Sequence, residues 1–334
     1  MQNFLRKFKI PGDKAVLILA LLLIFVLFNF LNEHFVSTAN FINISLASSL
    51  TGLVSIGMTY LIIGGQIDLS PGAIIAFSGV FAGILSTEYG VPFPLIIVII
   101  LLTGAMVGVA NTLMVTKIQL NPFIATLVTQ SVFRGFAYIL NGGRAVPIRD
   151  RTFSDFGTTR VFSTPWFTGV PLPVILLIVS FIVFGVILSK TTFGRSVYVV
   201  GGNKDAARLA GLNPDRITLK SYIITGMLCA ISGVMLAARM RSGSPATSIG
   251  LEFDAITAVI LGGASFVGGV GSMFGTVLGV LILQSFNTGL TMVGVPTFWQ
   301  YVARGALLLL ALSFDFIRKQ IRERKLLEDS LKNV

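Results

Sequence analysis

The sequence predicts an all-α, polytopic membrane protein with about ten transmembrane helices, forming one domain over residues 1–334. The first observation is composition, because 54% of the 334 residues are hydrophobic and 12% are charged, whereas soluble domains carry about 25% charged residues. The second is that the apolar residues form runs of about 20, the length with which a helix crosses a bilayer. This composition excludes an ordinary soluble enzyme and a disordered chain.

The apolar runs place ten predicted helices along the chain. Several begin at a proline, which suits the first turn of a helix because that turn needs no backbone N–H partner. The eighth is too short to cross a bilayer as a straight helix. The predicted segments are residues 14–31, 41–63, 70–87, 92–115, 122–140, 171–188, 218–238, 254–266, 271–291 and 296–317.

The distribution of basic residues predicts that both termini are cytoplasmic. Lys and Arg are enriched in cytoplasmic loops, and 17 of the 25 fall on the predicted inner side, whereas six fall on the outer side. The inner groups include Arg6, Lys7 and Lys9 near the amino terminus and a carboxyl-terminal run that starts at Arg318. This distribution explains the net charge of +11 without a nucleic-acid partner.

Similar residues recur at matching places in two halves of five predicted helices. Because five is an odd number, the two halves would be inverted relative to each other in the membrane, a common transporter plan. An arginine inside an apolar helix is rare, so the pair that contains arginines counts most. The matching pairs are Asp68 and Asp254, Asn111-Thr112 and Asn287-Thr288, Pro122 and Pro296, and Gln130-x-x-x-Arg134-Gly135 and Gln300-x-x-x-Arg304-Gly305.

The junction between the second and third predicted helices, residues 64–72, has almost no loop. Its glycines permit a sharp turn or a broken helix. Asp68 can cap the third helix, with Ser70 as the alternative cap. The segment can instead lie beside a substrate path, because irregular backbone at membrane depth must face protein or water.

The fifth predicted helix carries a polar stripe. Thr126, Gln130 and Arg134 are four residues apart and therefore share one face. Such a stripe faces the bundle or a cavity rather than lipid. It predicts either hydrogen bonds between helices or contacts with a polar solute.

The ninth predicted helix carries Gly271, Gly275 and Gly279 on one face. Glycines spaced by four residues allow another helix to approach closely. We expect packing within the chain, with a seam between two subunits as the alternative.

The longest predicted cytoplasmic segment is residues 190–217. Asn203 can cap a short helix over 205–210, and Gly211 suits the position just past its end. The small side chains of Ala206 and Ala207 allow another protein to approach. The helix therefore lies either on the lipid surface or against a cytoplasmic partner.

Motifs for several classes of chemistry are missing. The chain has no G-x-x-x-x-G-K-[ST] phosphate loop and no G-x-S-x-G motif. One histidine, His34, and one cysteine, Cys229, exclude a disulfide within the chain and a Cys/His metal site. We therefore expect no catalytic residues, no metal and no cofactor in this chain, which leaves transport as the leading class.

Taken together, these segments resemble the permease subunit of bacterial ATP-binding-cassette (ABC) importers for monosaccharides, in the ribose-type branch. The resemblance covers essentially the whole chain and is most specific at residues 64–72, 121–127, 198–211 and 251–269. Pro71 departs from the small or β-branched residue expected there.

The resemblance implies a complex in the bacterial inner membrane. A second permease subunit, identical or paralogous, would complete the pathway, and a cytoplasmic ATPase chain would bind ATP and Mg²⁺. An extracytoplasmic binding protein would deliver the sugar. Residues 203–212 match the family's coupling helix, which docks into the ATPase. The coupling residues would be Arg195, Gly202, Asn203, Ala206, Ala207, Arg208, Gly211 and Leu212.

The resemblance also implies alternating access, with a sugar path that is lined by a few polar groups and binds weakly. Asp68 and Asn111 supply polar groups, and Phe123 can stack on a sugar ring. The candidate pathway residues are Asp68, Asn111, Phe123, Thr126, Gln130 and Asn287.

Two alternatives stay open. An ion- or proton-coupled secondary transporter would use Asp68, Arg134 or Arg304 within the membrane and need no ATPase. ABC permeases for nucleosides, autoinducers or branched-chain amino acids share the architecture, and the sequence does not separate them. A membrane enzyme lacks any matching set of residues.

Overall fold

The computed structural model describes residues 12–164 and 168–332, most of them helical. Four two-residue strands form two small antiparallel pairs, β1 with β4 and β2 with β3. The strands are β1 (Val146–Pro147), β2 (Arg160–Val161), β3 (Val170–Pro171) and β4 (Ser242–Gly243). The helices are α1 (Gly12–Leu31), α2 (Thr38–Ile63), α3 (Pro71–Thr87), α4 (Phe93–Thr116), α5 (Pro122–Ile139), α6 (Arg151–Thr158), α7 (Leu172–Lys190), α8 (Thr192–Gly202), α9 (Lys204–Leu209), α10 (Pro214–Met240), α11 (Leu251–Leu261), α12 (Met273–Met292) and α13 (Thr297–Lys332).

A helix lies at each of the ten predicted segments. Among the described residues, seven helices are long and apolar enough to cross a membrane: α1, α2, α4, α7, α10, α12 and the Thr297–Ile317 part of α13. The other three are α3, with 17 residues, α11, with 11, and α5, whose apolar sequence is interrupted by Gln130 and Arg134. The all-α, polytopic membrane fold is therefore confirmed, whereas ten spans and inverted repeats stay predictions.

Two predicted helix boundaries were wrong in the glycine-rich region between residues 250 and 279. The eighth helix, predicted from residue 254, begins at Leu251, because Gly250 makes a left-handed turn just before it. The ninth begins at Met273 rather than Gly271, because Ser272 accepts a hydrogen bond from Gly275 N and caps the helix. Gly271 therefore lies outside α12 and does not share a helical face with Gly275 and Gly279.

Two helices were not predicted. α6 lies between β1 and β2, in the predicted outer loop, and α8 precedes the short helix of the predicted inner loop. Thr191 starts α8 by accepting a hydrogen bond from Gly194 N. The basic residues Arg6, Lys7 and Lys9, used to orient the chain, lie outside the described residues.

Helix α10 lies at the centre of the bundle and packs against α2, α3, α4 and α6. Glycine lets α10 and α4 approach closely, because a Cβ atom added to Gly226 would lie 2.1 Å from the carbonyl oxygen of Gly104. α1 and α13 are peripheral, and α13 packs against α11 and α12. Among the described residues, the outer faces of both helices carry exposed apolar side chains, which suit contact with lipid or a partner.

Candidate functional site

A buried hydrogen-bond network joins the segment between α2 and α3 to helices α4 and α5. Asp68 Oδ1 accepts hydrogen bonds from Ser70 N, at 2.8 Å, and from the Ser70 hydroxyl. Asn111 Nδ2 on α4 donates to Ser70 Oγ at 3.3 Å, and the Thr129 hydroxyl on α5 donates to Asn111 Oδ1. All four side chains are buried, so the network holds three parts of the chain together.

The backbone of the same segment is held by two further side chains. Leu69 N donates to Thr126 Oγ1 at 3.1 Å, while the Thr126 hydroxyl donates to Pro122 O at 2.8 Å. The Tyr222 hydroxyl on α10 donates to Ile67 O at 2.8 Å. Protein groups therefore satisfy these backbone atoms, as an irregular segment within a membrane protein requires.

The predicted caps of α3 differ from the observed ones. Ser70 occupies the position before the helix, but its side chain makes no cap hydrogen bond, and Asp68 binds Ser70 rather than the first turn. Pro71 opens the helix and has no N–H to satisfy. The Asp68 carboxylate instead fixes the turn that leads into α3.

A second polar cluster lies where the first turns of α3 and α11 meet. Gln130 Nε2 donates to Glu252 Oε1 at 3.1 Å, and Glu252 is 2% exposed. A Cβ atom added to Gly72 would lie 2.5 Å from Glu252 Oε2, so only glycine leaves room for this carboxylate. Arg134 Nη1 donates to Pro245 O and Thr247 O, at 2.7 and 2.8 Å. Arg134 thereby anchors the loop that precedes α11.

The six candidate pathway residues do not gather in one place. Asp68, Asn111 and Thr126 belong to the buried network, and Gln130 binds Glu252. The remaining two are Phe123, half-exposed on the first turn of α5, and Asn287, buried on α12. Their assignment to a sugar path stays a prediction.

Sequence reasoning missed Thr129 and Glu252 and treated Ser70 only as a cap. Thr129 could have been found, because it lies three residues after Thr126 and thus on the same face of α5. Glu252 had a weaker signal, an acid two residues before Asp254 at the start of an apolar run.

Helix α9 forms where the capping pattern predicts it, and it projects from the bundle. Asn203 Oδ1 accepts hydrogen bonds from Asp205 N and Ala206 N, and Gly211 adopts the left-handed conformation with a φ of 81°. Ala207 is fully buried, whereas Leu209 is 91% exposed. The exposed side of α9 therefore carries an unburied leucine, which sequence reasoning did not single out.

The other predicted coupling residues surround α9. Arg195 lies on α8, exposed, and its Nη1 donates to Lys190 O. Ala206, Arg208 and Gly202 are exposed, and Leu212 N donates to Ala207 O, which closes the end of the helix. Their role in binding a partner stays a prediction.

A glycine junction connects the end of α8 to the rest of the bundle. It consists of Gly65, Gly201, Gly268 and Gly269, together with the carbonyl group of Ile63. Gly269 N donates to Ile63 O at 2.8 Å, and a Cβ atom added to Gly268 would lie 2.6 Å from Gly201 O. Backbone therefore packs on backbone at Gly201, Gly268 and Gly269, which leave no space for a side chain, whereas Gly65 has room for a Cβ atom but has a φ of 70°.

Gly275 and Gly279 pack α12 against α11 of the same chain. A Cβ atom added to Gly275 would lie 2.0 Å from Gly262 O, and one added to Gly279 would lie 1.9 Å from Ala258 O. Gly271 instead contacts the side chain of Ile63. Gly275 and Gly279 therefore allow α11 and α12 of one chain to pack closely.

Comparison with known proteins gives consistent matches over most of the chain. Residues 40–312 match a family described as branched-chain amino acid transport system, permease component. An L-arabinose ABC transporter permease of Azospirillum brasilense is 37% identical over 93% of this chain and 89% of its own length. A ribose import permease of Bacillus subtilis is 37% identical over 89% and 91%. A xylose transport system permease of Haemophilus influenzae is 33% identical over 91% and 96%. No solved structure matches the chain.

Proposed function

The chain belongs to the family of transport-system permease components that residues 40–312 match, and we propose that it is the membrane-spanning subunit of an ABC importer for a monosaccharide. Relatives of 33–37% identity that carry the names of arabinose, ribose and xylose permeases support the sugar over a branched-chain amino acid. The chain itself would carry solute and perform no catalysis.

The observation that carries the proposal is helix α9. It forms at the residues that match the family's coupling helix, capped by Asn203 and ended by Gly211, and its exposed side carries Leu209. A cytoplasmic ATPase, holding ATP and Mg²⁺, would bind this helix. Because this sequence has no phosphate loop, the proposal assigns ATP binding to that partner chain.

The other partners and the location follow from the same assignment. A second permease subunit, identical or paralogous, would complete the pathway in the bacterial inner membrane. An extracytoplasmic binding protein would deliver the sugar. Both termini would be cytoplasmic, which the distribution of basic residues supports.

Two short helices support inverted five-helix repeats and ten membrane segments. α3 and α11 correspond to the third and eighth predicted segments, which occupy the same position in each half. They have 17 and 11 residues, and their first turns meet at Gly72 and Glu252. Short or interrupted segments at corresponding positions of two halves are a feature of transporters that are built from such repeats.

The secondary-transporter alternative receives less support. It would use Asp68 as an ion or proton carrier, but both hydrogen bonds to Asp68 Oδ1 come from Ser70, within the turn that leads into α3. These hydrogen bonds fix the turn, and this structural role explains the buried Asp68 carboxylate without the transport of an ion.

Recovery of an ATPase with the tagged permease tests the proposal. We would isolate the protein from membranes of its own host and compare Leu209→Glu with Phe162→Glu. Phe162 is an exposed apolar residue that follows β2 in the predicted outer loop, on the opposite side of the membrane from the predicted position of α9. We expect Leu209→Glu to lose the ATPase, since it buries a charge in the contact, and Phe162→Glu to retain it. Recovery of no ATPase even with the unaltered protein would favour a gradient-driven transporter.

A further inference from the structure

An ion pair connects α11 and α13 inside the membrane-spanning part of the chain. Arg304 Nη1 lies 3.6 Å from Asp254 Oδ2. Arg304 is the eighth residue of the span Thr297–Ile317, so it lies about 10 Å along the helix from the nearer end. Its side chain is nevertheless 34% exposed. A charge at this depth faces water or protein rather than lipid, which identifies this side of α13 as the lining of a polar space.

The ion pair stands in a cleft between α11 and α13. The cleft has a volume of about 340 Å³, which falls in the range of about 300–1,000 Å³ that is usual for small-molecule sites. Apolar walls with a few converging polar groups are the composition expected of such a site. Its lining includes Phe253, Asp254, Thr257, Tyr301, Arg304 and Gly305.

The polar groups of the cleft include hydrogen-bond donors and acceptors that are not fully used. At 3.6 Å, Arg304 and Asp254 are too far apart for a hydrogen bond. Within the described part of the chain, the buried Arg304 Nε has no hydrogen-bond partner. The Tyr301 ring is exposed, and its centroid lies 5.8 Å from Arg304 Cζ. The cleft therefore brings together the guanidinium donors of Arg304, the carboxylate acceptor of Asp254 and the aromatic ring of Tyr301.

We propose that this cleft is a binding subsite for the transported monosaccharide. The Arg304 guanidinium donates to one or two adjacent sugar hydroxyls, and the Asp254 carboxylate accepts from another. Tyr301 contacts an apolar face of the ring. The assignment rests on the proposed function, because a zwitterionic amino acid could also place its carboxylate on Arg304 and its ammonium on Asp254.

Labelling of an introduced cysteine tests the subsite directly. Gly305→Cys places a thiol in the cleft, where an added Cβ meets nothing within 4 Å. Ala306→Cys is the matched control, because Ala306 is exposed but points about 100° away around the helix. The single native cysteine, Cys229, is buried, so it need not be replaced. The assembled transporter in membranes would be treated with a charged, thiol-specific reagent, with and without ribose, arabinose, xylose or leucine.

We expect Gly305→Cys to react and the transported sugar to slow its reaction about tenfold, a difference of about 1.4 kcal/mol. Ala306→Cys should show no sugar effect. Combining Asp254→Asn with Arg304→Gln removes both charges together, so that neither is left unpaired, and it should abolish the protection while the ATPase is still recovered. Unchanged protection in this combination would overturn the roles of Asp254 and Arg304.

The outcomes separate the subsite from the proposed function. Sugar uptake by the unaltered complex without protection at Gly305→Cys, or with equal protection at both cysteines, would overturn the subsite alone. Protection by leucine and not by sugars would overturn the substrate class. Absence of any sugar uptake by the unaltered complex would overturn the proposed function and the subsite with it.

Discussion

A Cβ atom added to Gly201 would lie 1.8 Å from the carbonyl oxygen of Ile63, so the last turn of α8 and the last residue of α2 touch through their backbones. Helix α9 starts three residues after Gly201, and the segment that contains Asp68 starts directly after Ile63. Because no side chain lies between these backbones, we expect a displacement of α9 to reach the segment that contains Asp68.

Gly201→Ala should weaken the folded state and the coupling of α9 to the bundle. The added methyl group has no space, and overpacking of this kind costs about 1–3 kcal/mol. We expect a lower melting temperature for the purified permease and less sugar-stimulated ATP hydrolysis by the complex. Gly135→Ala is the control, because its added Cβ meets nothing within 4 Å and it lies on α5, outside the predicted coupling residues. Equal behaviour of the two variants would contradict the backbone contact.

Thr126→Val should destabilise the segment between α2 and α3. The change keeps the shape of the side chain but leaves the buried Leu69 N without its acceptor, which costs about 1–3 kcal/mol. Thr126→Ser keeps the hydroxyl and should retain most of the stability. Thermal unfolding in detergent measures both. A Thr126→Val protein as stable as Thr126→Ser would show that the hydrogen bond contributes nothing.

Local signals in the sequence were sufficient for α9 but not for the network around Asp68. The cap Asn203 and the terminal Gly211 act within a few residues of the chain, so they predict the helix without knowledge of the fold. Asp68 and Asn111 were found as single polar residues, whereas their contact depends on how α4 packs against the preceding segment. Which of two adjacent alanines, Ala206 or Ala207, is exposed also depends on packing, and the sequence treats them alike.

Gly279→Ala should destabilise the chain itself rather than its association with another copy. The new methyl group would meet the Ala258 carbonyl oxygen of the same chain, at a cost of about 1–3 kcal/mol. The loss of stability should therefore not depend on protein concentration, whereas a weakened dimer seam would recover at high concentration. Gly135→Ala, where an added Cβ meets nothing within 4 Å, is the control. Thermal unfolding across a range of protein concentrations distinguishes the two cases.

Arg134→Met should loosen the loop between β4 and α11. Arg134 Nη1 donates to Pro245 O and Thr247 O, and methionine fills similar space without donating. Loss of charge-assisted hydrogen bonds of this kind costs about 1.5–3 kcal/mol each, so the loop should open more often. Cleavage by thermolysin before the exposed Ile249 of this loop should then accelerate about tenfold or more, because proteolysis follows the population of the open form. Arg144→Met removes an exposed arginine without touching this loop and should leave the cleavage rate unchanged. Equal cleavage of both variants would show that Arg134 does not anchor the loop.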